Sequence, residues 1–421
     1  MSHSGSHHYN EDRMIQPFFR VAWVSALLTL LSNCVVSVGA TQAGDDDEVL
    51  VNALVQGIAM GIPGLSVAIG TGDSLAWTGT AGYSDLLGKV PVKTGDRFGV
   101  GSITKTFVAR VVLQLAQEGR LDLDRTAVDY LDLEIVQNVP NTDKASLHQL
   151  LNHQSGIPDW ESQEKWIRVG RGDQMNLGKV WDKTETLEYV RREHLPADHE
   201  PGQQYRYSNT NYTILGLIIE AITGNDAATE IRQRILQPLH LEDTFFESYE
   251  DVPGGYVHHY HYATPKFVKV AGVHRGFSEI RPYLVESTAA NFSPEWTAGG
   301  MVSSARDLVR WAQAIRNGEL LDPTMQKEIF TYYPPKESSS SKEEYMQGVL
   351  RIKDYYNDRA VIGHGGGTLG FTAKMYWLEE TDIVVILLTN VGEMHSGLNP
   401  SPVGMFYREV LLPAVLQFLG R

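Results

Sequence analysis

A chain of 421 residues with 42% hydrophobic and 21% charged residues carries enough apolar material for a full core and reads as globular. Its formal net charge of −15 repels a phosphate backbone, and no basic stripe, zinc-finger spacing or Walker loop offsets it, so a nucleic-acid role is excluded. A single cysteine, Cys34, leaves no intrachain disulfide and no cysteine metal site.

From the N-terminus, Arg13 and Arg20 precede an apolar run from Val21 to Leu31, and Val38-Gly39-Ala40 follows. This is the pattern of a signal peptide over residues 1–40, with residues 41–421 as the mature domain. Ser32 and Asn33 interrupt the run, which is too short for a membrane span. Export, to the periplasm or beyond, is therefore expected, with no stable span in the mature chain. A retained anchor helix is the alternative, and lipid anchoring through Cys34 a minor one, since Asn33 fits a lipoprotein signal poorly. Glu11 and Asp12 balance Arg13 and Arg20, so removal leaves the charge at −15.

Apolar residues at helical spacing predict a helix over Val49–Ala59, stopped by Gly61 and Pro63-Gly64. Leu65–Ile69 and Ser74–Thr80 read as strands joined by the turn Gly70–Asp73. A helix follows from Ser102 to Glu118, its apolar stripe at Phe107, Val108, Val111, Val112 and Leu115 and its C-cap at Gly119. Residues 120 to about 345 are mostly helix and loop, with helical patterns at Leu147–Leu151, Thr184–Arg192, Asn211–Thr223, Ala227–Ile235 and Ser304–Ile315. Tyr256–Val270 reads as a small hairpin. Strand character returns at Tyr345–Ile352, Ala360–Gly363, Phe371–Leu378 and Ile383–Thr389, and a helix from about Val403 to Phe418 closes the chain. Strands at both ends around a helical insertion predict an α/β (α+β) fold: one lobe from residues 45–100 and 345–421, a helical lobe from 101–344, and a cleft between them.

Three motifs carry the chemistry. Ser-x-x-Lys occurs three times. Ser162/Lys165 lies in a charged run and Ser339/Lys342 in a serine-rich loop, so both read as solvated surface. Only Ser102/Lys105 follows a glycine turn, Gly99-Val100-Gly101, and opens an amphipathic helix. There the helix N-terminus favours a developing oxyanion, and Lys105 stands on the same face as the Ser102 hydroxyl. To act as a base, Lys105 must have its pKa moved from about 10.4 to about 7, which takes roughly 4–5 kcal/mol of burial or neighbouring charge. The plain alternative is a helix-capping serine beside a solvated lysine.

Tyr-x-Asn occurs twice; Tyr355-Tyr356-Asn357 reads as a hairpin turn. Tyr207-Ser208-Asn209 precedes a helix, and its phenol can shuttle protons if cationic neighbours lower its pKa. Asn209 can hold a substrate carbonyl, order Lys105, or cap the helix. His364-Gly365-Gly366-Gly367 reads as a glycine-rich lead into the strand at Phe371, open to a substrate backbone, with an amide near Gly367 suited to an oxyanion hole. A Gly-x-Ser-x-Gly elbow is absent, which argues against an ordinary α/β-hydrolase.

In this order the three motifs resemble the serine β-lactamase and DD-peptidase superfamily. The likeness is greatest to the branch of class C β-lactamases, D-alanyl-D-alanine carboxypeptidases, D-aminopeptidases and related esterases. Leu150–Pro158, Ala298–Ser304 and Asp307-Leu308 are also similar to family signatures. The resemblance implies an antiparallel sheet flanked by helices. It also implies Ser102 as acylated nucleophile, Lys105 and Tyr207 as its activators, Asn209, His364, Gly365 and Gly366 as substrate contacts, and the amides of Ser102 and Gly367 as the oxyanion hole. No metal or other cofactor is implied, and His258, His259 and His261 read as strand packing. A small peptide or acyl compound is the expected partner.

One departure stands out. Many β-lactamases carry Lys-Thr-Gly where this chain has His364-Gly365-Gly366. A histidine is only partly charged near neutral pH, and Gly365 has no hydroxyl, so this motif recognises a carboxylate weakly. The reading is an exported serine hydrolase cleaving an amide or ester, with D-amino-acid peptides as the expected substrates. A broad esterase or class C-like β-lactamase, and a silent peptidoglycan- or partner-binding homologue, are the alternatives.

Overall fold

The structure, a computed structural model, describes residues 35–39, 47–191, 195–337 and 341–420. Cys34 and the predicted leader up to it lie outside the described residues.

Thirteen elements frame the site: β1 (Val36–Gly39), α1 (Asp47–Ala59), β2 (Gly64–Thr71), β3 (Ser74–Asp85), α2 (Thr104–Gln117), α3 (Asn209–Thr223), α4 (Ala305–Asn317), β4 (Glu343–Tyr345), β5 (Leu350–Tyr356), β6 (Arg359–Thr368), β7 (Phe371–Leu378), β8 (Ile383–Thr389) and α5 (Leu412–Phe418). One antiparallel sheet runs β1-β3-β2-β8-β7-β6-β5-β4. The two ends of the chain meet where β2 pairs with β8, Leu65 opposite Thr389 through Thr71 opposite Ile383. That junction is the predicted assembly from both termini. β1 is built from Val36–Gly39, residues of the predicted leader, so cleavage after Ala40 would remove the sheet's first strand.

The apolar run Ile383–Leu388 shows why β8 is central. Val384, Ile386 and Leu388 enter the core under the helical lobe, while Ile383, Val385 and Leu387 enter a second core under α1 and α5. A strand covered on both faces reads as a continuous apolar run, and each fully buried side chain of this size contributes about 1.5–3 kcal/mol. On the helical side α2 is wrapped on all faces, with every residue from Thr104 to Leu115 buried. Lys105 and Arg110 are thereby drawn inside.

Four local expectations change. Tyr256–Val270 is not a hairpin: Tyr260–Tyr262 pairs with Leu284–Glu286 and with Val391–Gly392, and Thr264 caps a helix that starts at Pro265. Tyr345–Ile352 is two strands, β4 and β5, parted by a turn at Gly348 with φ +83°. His364-Gly365-Gly366-Gly367 forms the end of β6 itself rather than a turn before β7. Around Ser162/Lys165 both named side chains are exposed as expected, but Glu161 of the same run is only partly exposed and pairs with the buried Arg171 in the site. The second Tyr-x-Asn does form a turn, with Asn357 and Asp358 at φ +47° and +60°.

Among the described residues no helix is long and apolar enough to cross a membrane, and no cluster of three His, Cys, Asp or Glu is placed to hold a metal. His259 and His261 are buried, bonded to Ser287 and to the Met394 carbonyl, which is a packing role. His258 sits apart on Glu286.

Candidate active site

The three motifs converge at the start of α2. Gly101 takes φ +51°, and a Cβ there would stand 2.6 Å from the Gly367 nitrogen. At Gly366 a Cβ would fall 1.8 Å from the Val100 carbonyl and 3.2 Å from the Ser102 nitrogen. Glycine is therefore required on both sides for β6 to lie against the nucleophile turn, with Gly101 against the Gly367 nitrogen and Gly366 against the Ser102 nitrogen. We expect Gly366→Ala to push the two apart, lowering turnover about 100-fold and stability by about 1–3 kcal/mol, read by kinetics and thermal unfolding. β5 pairs with β6 only as far as Gly363, so from His364 onward the outer edge of β6 is open.

Lys105 is buried, and its Nζ has three neighbours: Ala298 O at 2.6 Å, Asn209 Oδ1 at 2.7 Å and Ser102 Oγ at 3.1 Å. Burial pulls its pKa down to about 7, against the opposing charges of Glu161, Asp159 and Glu295. The first two neighbours only accept hydrogen bonds. A neutral amine spends both its hydrogens on them, and its lone pair is left for the Ser102 hydroxyl. This is the geometry of a general base.

Tyr207 lies beside it, its ring centroid 4.9 Å from Lys105 Nζ. Its ring is partly exposed, but the hydroxyl is buried without a well-formed hydrogen bond. Burial holds the phenol well above its usual pKa, and the nearby Ser102 hydroxyl offsets this only in part. The expected lowering by cationic neighbours is not found, so Tyr207 is a neutral phenol. His153 packs against its ring, 4.1 Å between centroids and tilted by 33°.

Asn209 orders Lys105 instead of capping the helix. Its Nδ2 donates to Glu161 at 2.6 Å, and α3 is capped at Ser208 without a side-chain bond. Asp159 accepts from the Asn209 backbone N–H at 2.9 Å, a carboxylate at a helix N-terminus. Pro158 O accepts from Thr210 Oγ1 at 2.7 Å and Ser155 Oγ donates to Asn211 Oδ1 at 2.7 Å, so the Leu150–Pro158 stretch fastens the second motif.

Behind Asn209 lies a buried charge group that sequence reasoning missed. Arg171, fully buried, pairs with Glu161 and with Glu295, the latter at 3.0 Å; Glu295 also accepts from Thr368 Oγ1 at 2.6 Å. Burial raises Glu295 to about 7, and burial together with Glu161 raises Asp159 to about 6. Asp159, Glu161 and Glu295 share one permanent cation, Arg171, with Lys105 poised near neutrality, so the group is net anionic. The only signal was the placement of Asp159 and Glu161 just after the Leu150–Pro158 signature. Arg171→Met leaves two buried carboxylates unpaired, and we expect a loss of about 3–5 kcal/mol in denaturant unfolding.

His364 is buried, with Nε2 2.8 Å from the Tyr345 hydroxyl and Nδ1 on the Gly365 carbonyl. Tyr345 is held far above its usual pKa by burial and keeps its proton. It therefore donates to Nε2, which assigns the ring hydrogen to Nδ1. Burial, with Lys105 and Lys374 nearby, drops the His364 pKa to about 3. The residue is uncharged, more so than its sequence suggested.

A serine at a helix start, bonded to a buried lysine and faced by a tyrosine and a glycine-edged strand, defines a serine hydrolase of the β-lactamase type. Residues 50–399 match the Beta-lactamase family, and the chain belongs to it. Penicillin-binding protein 4* of Bacillus subtilis is 24% identical over 329 residues, 78% of this chain and 68% of that protein. Protein flp of Staphylococcus aureus is 30% identical over 188 residues, 44% of this chain, so the match spans only 35% of that relative's length. Among solved structures, a D-stereospecific amidohydrolase from Streptomyces sp. is similar with TM-score 0.69 and 28% identity, covering 85% of this chain and 97% of that one. The D-amino acid amidase of Ochrobactrum anthropi, complexed with D-phenylalanine, is similar with TM-score 0.73 and 26% identity, covering 89% and 98%.

Proposed function

We propose that the protein hydrolyses the amide bond that follows an amino-terminal D-amino-acid residue, through an acyl-enzyme on Ser102. One pair of observations carries the choice: the acids Asp159, Glu161 and Glu295 gather behind Asn209 and Lys105, while His364 is uncharged, which favours a substrate with an ammonium group over one anchored at His364 by a carboxylate. The likeness to a D-stereospecific amidohydrolase and a D-amino acid amidase supports the same reading.

In this mechanism neutral Lys105 takes the Ser102 proton as Oγ attacks the carbonyl carbon. The amides of Ser102 and Gly367 stabilise the oxyanion. Tyr207 then gives its hydroxyl proton to the leaving nitrogen and regains one from the Lys105 ammonium. Water attacks the ester, and the proton passes back by the same groups to free Ser102 and the amino acid. Export follows from the charged and apolar pattern of residues 1–40, and fractionation of the host cell tests it.

Rates on D-alanine nitroanilide, a nitrophenyl acetate and a chromogenic cephalosporin test the specificity. We expect the D-amide to be turned over with the highest kcat/KM relative to its uncatalysed rate. A cephalosporin preferred over the amide would make the protein a β-lactamase instead.

A further inference from the structure

By its sequence Val36–Gly39 belongs to the leader, and by its pairing it belongs to the sheet. β1 runs antiparallel to β3, Val36 opposite Ala81 through Gly39 opposite Thr78. The Gly82 N–H extends the contact by donating to the Val35 carbonyl at 3.1 Å, and the compact body that carries the active site begins at Val35.

The burial of β3 follows this partner. Trp77–Gly82 is buried throughout, whereas Ser74 and Leu75, before the span that β1 covers, are exposed. β2 pairs with the same stretch on the inner side, so Trp77–Gly82 has a strand on either hand. Its sequence, Trp-Thr-Gly-Thr-Ala-Gly, suits an interior place, with neither a charge nor a proline, the usual guards of an outer strand. β1 has only four residues, and a short last strand is itself a way of closing an edge.

Cleavage after Ala40 would bare the backbone N–H and C=O groups along Thr78–Ala81, a template for pairing with another chain. We propose that Val36–Gly39 is kept in the working protein as the closing strand of its sheet, so that any maturation cut falls upstream of β1 and not after Ala40. Val38 and Gly39 of the small-residue pattern are then part of the folded domain. The inference stands apart from the substrate reading, because four strands separate β1 from β6.

Two measurements on the full chain test it. The first is the N-terminus of the protein recovered from its host, by intact mass and terminal peptide mapping. An N-terminus at Val36 or earlier is expected; one at Thr41, or anywhere else after Val36, overturns the proposal. The second is hydrogen exchange of the peptide spanning Trp77–Gly82. Neighbouring residues of a strand point their N–H groups to opposite edges, so one of Ser37→Pro and Val38→Pro removes a hydrogen bond to β3. At least one of the two variants should speed exchange in Trp77–Gly82 about 10-fold or more. Labelling of Ser102 by a fluorophosphonate checks that both are folded. Native-like protection in both variants would show that β1 does not close the sheet, and overturns the proposal whatever the N-terminus.

Discussion

Ser102→Ala will abolish turnover, with a fall on the order of 10⁴–10⁶ in kcat, as expected when a nucleophile acting as part of a unit is removed. The protein should remain folded, because Ser102 is a partly exposed side chain whose main contribution to the fold is its backbone turn. Its side chain contacts Lys105 Nζ at 3.1 Å and lies near the Tyr207 hydroxyl. Hydrolysis of the D-amide at near-native rate by Ser102→Ala would remove covalent catalysis from the mechanism altogether.

Lys105→Ala carries the second large effect. Loss of a positioned general base costs about 10²–10⁴ in rate, and the pH dependence identifies the base. Burial sets the Lys105 pKa near 7, and the deprotonated form is the active one. In the native enzyme, therefore, kcat/KM should rise about tenfold per pH unit below 7 and level off above it. His364 and Tyr207 cannot produce that limb, since the first loses its proton near 3 and the second keeps its own well beyond 10. In Lys105→Ala the limb near 7 should vanish along with most of the rate. A variant that keeps the same limb would assign it to Asp159 or Glu295, whose pKa values burial also brings to about 6 and about 7.

What the sequence revealed and what it concealed divide along a physical line. Ser102, Lys105, Tyr207, Asn209 and the glycines at 365–367 were legible because each sits at a local break in pattern: a helix start, a residue before a helix, a run without side chains. The two-ended sheet was legible from where the apolar runs fall. Burial of a charge is not a local property. Whether Lys105 is solvated or dry depends on Ala298, Asn209 and Tyr207, the first of them almost two hundred residues away.

The same reason explains the misread residues. Glu161 stood in a charged run that looks like surface, and only its pairing with Arg171 and Asn209 takes it inside. His364 seemed partly charged because a histidine's ordinary pKa lies near neutrality, and its enclosure by Tyr345 and Lys105 could not be read from neighbours in sequence. The turn at Gly348 and the helix at Pro265 were missed where a strand pattern hid a positive φ or a cap.

Trapping the acyl-enzyme tests the central claim most directly. The protein is incubated with a slowly released acyl probe, a fluorophosphonate or a reactive β-lactam, and intact mass and peptide mapping locate the adduct. A single adduct on the peptide bearing Ser102, formed faster as pH rises through 7 and absent from Ser102→Ala, is the predicted result. An adduct that persists in Ser102→Ala, or one mapped to any other residue, would contradict it.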